Sequence, residues 1–146
     1  MKHVFDEKST VILLDQLVHI ASPSGYTKEI MKFIESYIKG LVIPYKRTNK
    51  GAIIATVKGE NDQQQRLFTA HTDTLGAMVK EVKTNGRLKL TMVGGFNWNA
   101  VEGEYCTIHT ASGKKIRGTI LMHETTVHVY RNAGELKRDE NHIEVR

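Results

Sequence analysis

The run Leu67-Phe68-Thr69-Ala70-His71 constrains the fold more than any other stretch, because it shows no polar alternation until its last residue. Such a run predicts a strand buried on both faces, in the middle of a sheet covered by helices, and therefore an α/β arrangement. In open α/β sheets ligands bind outside the carboxyl ends of the strands, and here the chain continues as Thr72-Asp73-Thr74-Leu75-Gly76. Side chains two apart on an extended backbone share a face, so His71 and Asp73 are placed to act together. A neutral imidazole is a common zinc ligand, and a carboxylate that accepts its second ring N–H fixes the tautomer and raises its basicity. His71 would be the ligand and Asp73 its orienter. Any two polar residues at a strand exit meet this spacing, so the spacing alone favours a structural role.

Upstream, Val11, Leu14, Val18 and Ala21 recur at helical spacing, with Leu13, Leu17 and Ile20 beside them. They predict a helix over Thr10–Ala21, substantially buried, with Ser9 or Thr10 as N-cap. Ser22-Pro23-Ser24-Gly25 ends it, since proline cannot continue the hydrogen-bond ladder. A second helix, about Thr27 to Lys39, presents one apolar stripe of Ile30, Phe33, Ile34, Tyr37 and Ile38, and Gly40 is the expected left-handed closing residue. Strand signals follow over Val42–Arg47, where Pro44 argues for an edge, and over Ala52–Val57 after Asn49-Lys50-Gly51. The polar run Gly59-Glu60-Asn61-Asp62-Gln63-Gln64-Gln65 reads as a surface loop.

After Gly76 the pattern changes. Ala77–Val82, Leu88–Val93, Tyr105–Thr110 and Lys115–Leu121 are short strand candidates separated by Thr84-Asn85-Gly86, Gly94-Gly95 and Ala111-Ser112-Gly113. Asn85-Gly86 is a strong hairpin signal, because both central residues of the favoured turn need positive φ. Closely spaced strands of this kind predict a small barrel or sandwich, with a domain boundary near residue 76.

Four stretches together resemble the glutamyl or deblocking aminopeptidase family, the dinuclear metallopeptidases that include tetrahedral aminopeptidase. They are Ser22-Pro23-Ser24-Gly25, Thr69-Ala70-His71-Thr72-Asp73-Thr74-Leu75-Gly76, Val93-Gly94-Gly95 and Gly113-Lys114-Lys115-Ile116-Arg117-Gly118-Thr119-Ile120. The resemblance implies that residues 1–76 are the N-terminal part of a metallopeptidase α/β sheet domain. Residues 77–146 would be a partial small β-barrel used for self-association. It implies His71 as a metal ligand and Asp73 as its catalytic support. It also implies two divalent metal ions, zinc or cobalt, in the complete enzyme, with peptide substrates and a homo-oligomer as partners. No other position of this sequence matches a ligand of the family. The isolated chain is therefore expected to bind metal weakly or not at all and to lack peptidase activity.

Composition limits the alternatives. The 146 residues suffice for one ordinary domain or two small ones, and 40% hydrophobic with 25% charged residues is near the globular average. No apolar stretch approaches the roughly 20 residues needed to span a bilayer. The start, with Lys2, His3, Asp6 and Glu7, lacks a signal-like apolar core, which predicts a cytoplasmic protein with no membrane partner. The lone Cys106 cannot form an internal disulfide and reads as a packing residue. The net charge of +5 and pI near 9.3 permit attraction to acidic surfaces. The basic residues are scattered among acids, however, and no basic cluster alternates with aromatics as a single-strand platform requires, so no nucleic-acid partner is expected.

Three further candidates read as structural. His123-Glu124-Thr125-Thr126-Val127-His128 resembles the zinc-peptidase motif, but its histidines are five apart rather than four, and its β-branched centre favours a strand that would send them to opposite faces. Gly94-Gly95 lacks the lysine and hydroxyl of a phosphate loop. Trp98 is either a packing residue or an exposed anchor, with packing favoured. Two functions of different class remain, the N-terminal portion of a metal-dependent aminopeptidase and a noncatalytic β-barrel oligomerisation module. A basic nucleic-acid-binding barrel is a distant third.

Overall fold

The computed structural model describes residues 5–61 and 63–146, so Lys2, His3 and Asp62 lie outside the described residues. The chain is mixed α/β and divides into two compact units between Thr74 and Leu75.

The first unit carries helix α1 (Glu7–Val18), helix α2 (Lys28–Gly40) and a hairpin of β1 (Tyr45–Arg47) and β2 (Ile53–Ala55). Asp6, not Ser9 or Thr10, caps α1. Its carboxylate accepts the Ser9 N–H at 3.2 Å and the Ser9 hydroxyl at 2.6 Å, and these bonds hold it below the ordinary carboxylate range. The helix thus starts and stops three residues earlier than its apolar periodicity predicts, and it buries no residue. A stripe names the face that would pack; it cannot supply the surface to pack on, and three-residue strands offer little.

Helix α2 follows its stripe, with Ile30 fully buried. Its end differs from expectation. Gly40 lies inside the helix, and Val42 takes the left-handed conformation, φ 57°, while its N–H donates to the Lys39 carbonyl and that of Ile43 to Ile38. These two bonds are those of a Schellman closure, here built on a β-branched residue where glycine is usual.

The expected third strand, Leu67–His71, does not form. The stretch joins no ladder among the described residues, and Leu67 and Phe68 are 86% and 99% exposed. Its apolar character suits a central strand, but burial there requires neighbours on both edges and both faces, and β1 and β2 pair only with each other.

The second unit is a five-stranded antiparallel sheet in the order β3-β4-β7-β6-β5, from β3 (Gly76–Val82), β4 (Leu88–Val93), β5 (Tyr105–His109), β6 (Lys115–Met122) and β7 (Ile143–Val145). Trp98, Leu90, Met122, Ile143 and Val145 form its core, and Phe96 meets Trp98 edge to face at 5.0 Å. Cys106 packs against this core, and burial pushes its thiol up from its ordinary pKa. At Gly118 a Cβ would run into the Val145 side chain, so only glycine lets β6 and β7 approach.

The hairpin turns share one form. Thr48–Ala52, Lys83–Arg87 and Thr110–Lys114 each close with the first N–H donating to the last carbonyl and the glycine N–H donating to the first carbonyl. Gly51, Gly86 and Gly113 alone take positive φ, so Asn85-Gly86 forms a three-residue loop with a glycine bulge rather than the expected two-residue turn.

The central strand β7 escapes the sequence reading altogether. It is three residues long with a charge in the middle, yet all three are buried. Glu144, 1% exposed, accepts from Lys83 Nζ at 2.9 Å, Arg87 Nη1 at 2.6 Å and Arg146 Nε at 3.2 Å. Burial pushes its carboxyl up, but the bonds and charges of Lys83 and Arg87 outweigh that and leave it below the ordinary glutamate value.

Candidate functional site

His71 and Asp73 lie on extended backbone, with His71 Nδ1 2.6 Å from Asp73 Oδ1. An ionised carboxylate only accepts, so Nδ1 donates in this bond and Nε2 is the nitrogen left to offer a lone pair. That is the tautomer a metal ligand needs. Both side chains stand open, 85% and 52% exposed.

The backbone of this stretch is positioned by Ser22, which the sequence marked as part of a helix stop and of the family resemblance but not as a partner of residues 72–74. Ser22 is fully buried, and its hydroxyl donates to the Thr72 carbonyl at 2.6 Å. Its N–H donates to Thr74 Oγ1 at 3.1 Å, and the Thr74 N–H donates back to the Ser22 carbonyl at 3.2 Å. Asp73 is therefore pinned on both sides. Pro23 and Gly25 complete the hold by turning the chain directly after Ser22, with the Tyr26 N–H donating to the Pro23 carbonyl and Gly25 at φ 88°. The polar-turn composition of Ser22–Gly25 was the available signal, but nothing local says which carbonyl its hydroxyl meets fifty residues away.

Among the described residues, no three His, Cys, Asp or Glu side chains converge on one point. His71 with Asp73 thus fits one metal ligand and its orienter. The other motifs belong to the second unit. Strand β6 ends at Met122, so His123 lies in a bend and His128 within a turn rather than on a strand, and Glu124 is 3.7 Å from the His123 ring. Gly94-Gly95 forms a bend, and Glu102 pairs with Arg138 at 3.1 Å.

The model of the M42 glutamyl aminopeptidase family matches residues 51–146, a span that includes both His71 and Asp73. The chain belongs to the M42 glutamyl aminopeptidase family. The Bacillus subtilis (strain 168) protein YhfE, which carries the name of an aminopeptidase, is 50% identical over 139 residues, covering 95% of this chain. Among solved structures, the TET aminopeptidase of a marine sediment Thaumarchaeota archaeon superposes with a TM-score of 0.81 at 20% identity, covering 94% of this chain and 38% of that one. The Pyrococcus horikoshii TET1 peptidase gives 0.75 at 23%, covering 93% and 39%. This M42 chain spans 40% of the length of its Bacillus relative. Its mixed α/β architecture, with an antiparallel half-barrel, is that of the TET aminopeptidases. None of its described helices is long and apolar enough to cross a membrane.

Proposed function

We propose that this chain supplies the N-terminal portion of a cytoplasmic metal-dependent aminopeptidase that removes N-terminal residues from peptides. Residues to about 76 contribute to the catalytic α/β domain, and the remainder forms part of a β-barrel through which copies associate. The observation that carries the reading is the His71–Asp73 pair, held in the ligand tautomer and clamped by Ser22, in a chain of the M42 family. When bound, two divalent ions, zinc or cobalt, would polarise a water for attack on the N-terminal peptide bond. The role of this chain is narrower. His71 offers Nε2 as one ligand, and Asp73 keeps the proton on Nδ1.

A catalytic zinc usually takes three protein ligands, and a two-metal site needs more. One histidine with one supporting carboxylate falls short, which supports weak metal binding and no turnover by the 146 residues alone. The test compares this chain with a chimera carrying the remaining length of the Bacillus relative, both assayed on amino-acid p-nitroanilides with added zinc or cobalt. The chimera should turn over and the short chain should not. In the chimera His71→Ala should abolish activity, and Asp73→Asn should reduce it by roughly 10- to 100-fold, the usual cost of losing a ligand's orienting partner. Turnover by the short chain, or full activity of the chimera with His71→Ala, would sink the proposal.

A noncatalytic assembly role is favoured by one observation, the apolar side chains Met78, Val79 and Val82 exposed on the edge strand β3. The Pyrococcus TET1 peptidase assembles into a tetrahedron or an octahedral shell. Sedimentation of the short chain at micromolar concentration should show species larger than monomer. A monomer at every concentration would remove the association part of both readings.

A further inference from the structure

A histidine pair lies in the second unit, at the end of the β6–β7 ladder. Met122 faces Ile143 in that ladder, and the next position continues it, with the His123 N–H donating to the His142 carbonyl at 2.8 Å. Directly opposed residues on antiparallel strands send their side chains to one face. The two imidazoles stack there with centroids 5.4 Å apart and planes 26° from parallel.

Neither ring is buried, and each is about one-third exposed, so a dissolved ion can reach them. His142 Nδ1 lies 2.7 Å from Asp139 Oδ1, and the carboxylate again accepts the Nδ1–H bond and leaves Nε2 as the lone-pair nitrogen. Glu124 adds negative charge 3.7 Å from His123 Nε2. Arg146 is turned onto the Met122 and His123 carbonyls and onto Glu144.

We propose that His123 and His142 form a two-histidine site for a divalent transition metal of the zinc type, completed by water and independent of the His71–Asp73 pair. Imidazole nitrogen suits zinc, copper and nickel rather than calcium or magnesium. A metal there would tie the residue just before β7 to the residue just after β6 and so lock the central strand of the sheet. The site is one of sheet reinforcement: the two histidines flank the ends of paired strands, and the ion closes the segment between them.

The test titrates zinc alone into the intact 146-residue chain by calorimetry, with the histidine ring resonances followed by NMR. The His123 and His142 ring signals should shift together, and the melting temperature should rise with zinc, since a ligand that binds only the folded state stabilises it. His123→Ala should weaken binding at least tenfold, and removal of an exposed histidine of neither pair, His19→Ala, should leave it within twofold. Should His123→Ala fail to fold, the ring signals of the unaltered protein still decide. Zinc shifts confined to His71, no shift at either ring up to millimolar zinc, or undiminished affinity in folded His123→Ala would overturn the proposal.

Discussion

In the second unit the strand Ile143–Val145 is buried residue for residue, whereas in the first the stretch bearing His71 and Asp73 lies open, with Phe68 almost wholly exposed. The two regions place a carboxylate by opposite means. Glu144 is enclosed by apolar neighbours and three cations, so its environment is supplied by packing. Asp73 has no such enclosure and is held through its backbone by Ser22 and Thr74. A group meant to bear structure benefits from being dry; a group meant to meet an ion or substrate has to stay reachable, and hydrogen bonds to its neighbours fix it without covering it.

The largest expected effect comes from removing the buried charge. Glu144→Gln leaves Lys83, Arg87 and Arg146 without their shared carboxylate, and breaking a buried pair costs about 3–5 kcal/mol. The three cations are each about one-third exposed and can turn to water, which puts the loss near the lower figure, about 3 kcal/mol by denaturant unfolding. The sign with pH is also defined. The folded-state pKa of Glu144 is lowered, so its contribution is present above the ordinary glutamate value and is lost as pH falls through the folded one. The native protein should therefore lose stability on that acidic limb, and Glu144→Gln should lose less. Equal acid sensitivity of the two would show that the clamp around Glu144 carries little.

Ser22→Ala tests the other half of the comparison. It removes the bond to the Thr72 carbonyl in a buried setting, a loss of about 1–3 kcal/mol. Amide exchange should quicken over 72–74 while Ile143–Val145 keeps its protection. Uniform acceleration across both units would show that they unfold as one, and the contrast drawn between them would fail.

The smallest effect, and the only stabilising one, is expected at Val42. A left-handed β-branched residue costs about 1–2 kcal/mol, and Val42 is 89% exposed, so it returns little through packing. Val42→Gly should raise the stability of the first unit by about 1 kcal/mol after the glycine's own entropy is offset. A fall in melting temperature would mean that the valine side chain has a contact its exposure does not reveal.

Local chemistry was readable wherever it depends on neighbours in sequence. The stripe of α2, the antiparallel strands between Ala77 and Leu121 and the glycine of each hairpin turn are short-range properties. So is the approach of His71 to Asp73, since alternation along an extended chain brings residues two apart together whether or not a sheet forms around them. The cap of α1 was misplaced for a related reason: Asp6, Ser9 and Thr10 are all competent caps, and only the helix start decides among them.

What the sequence by itself determined was the closeness of His71 and Asp73, the resemblance to the aminopeptidase family and the change from helical to antiparallel architecture after Gly76. Only the tertiary structure decided that Leu67–His71 stays unpaired, that a charged three-residue segment becomes the central strand and that Ser22 holds the chain around Asp73. Each of these depends on a partner many residues away. Burial and hydrogen bonding are properties of a residue and the surface it meets, and the chain does not write that surface next to the residue that needs it.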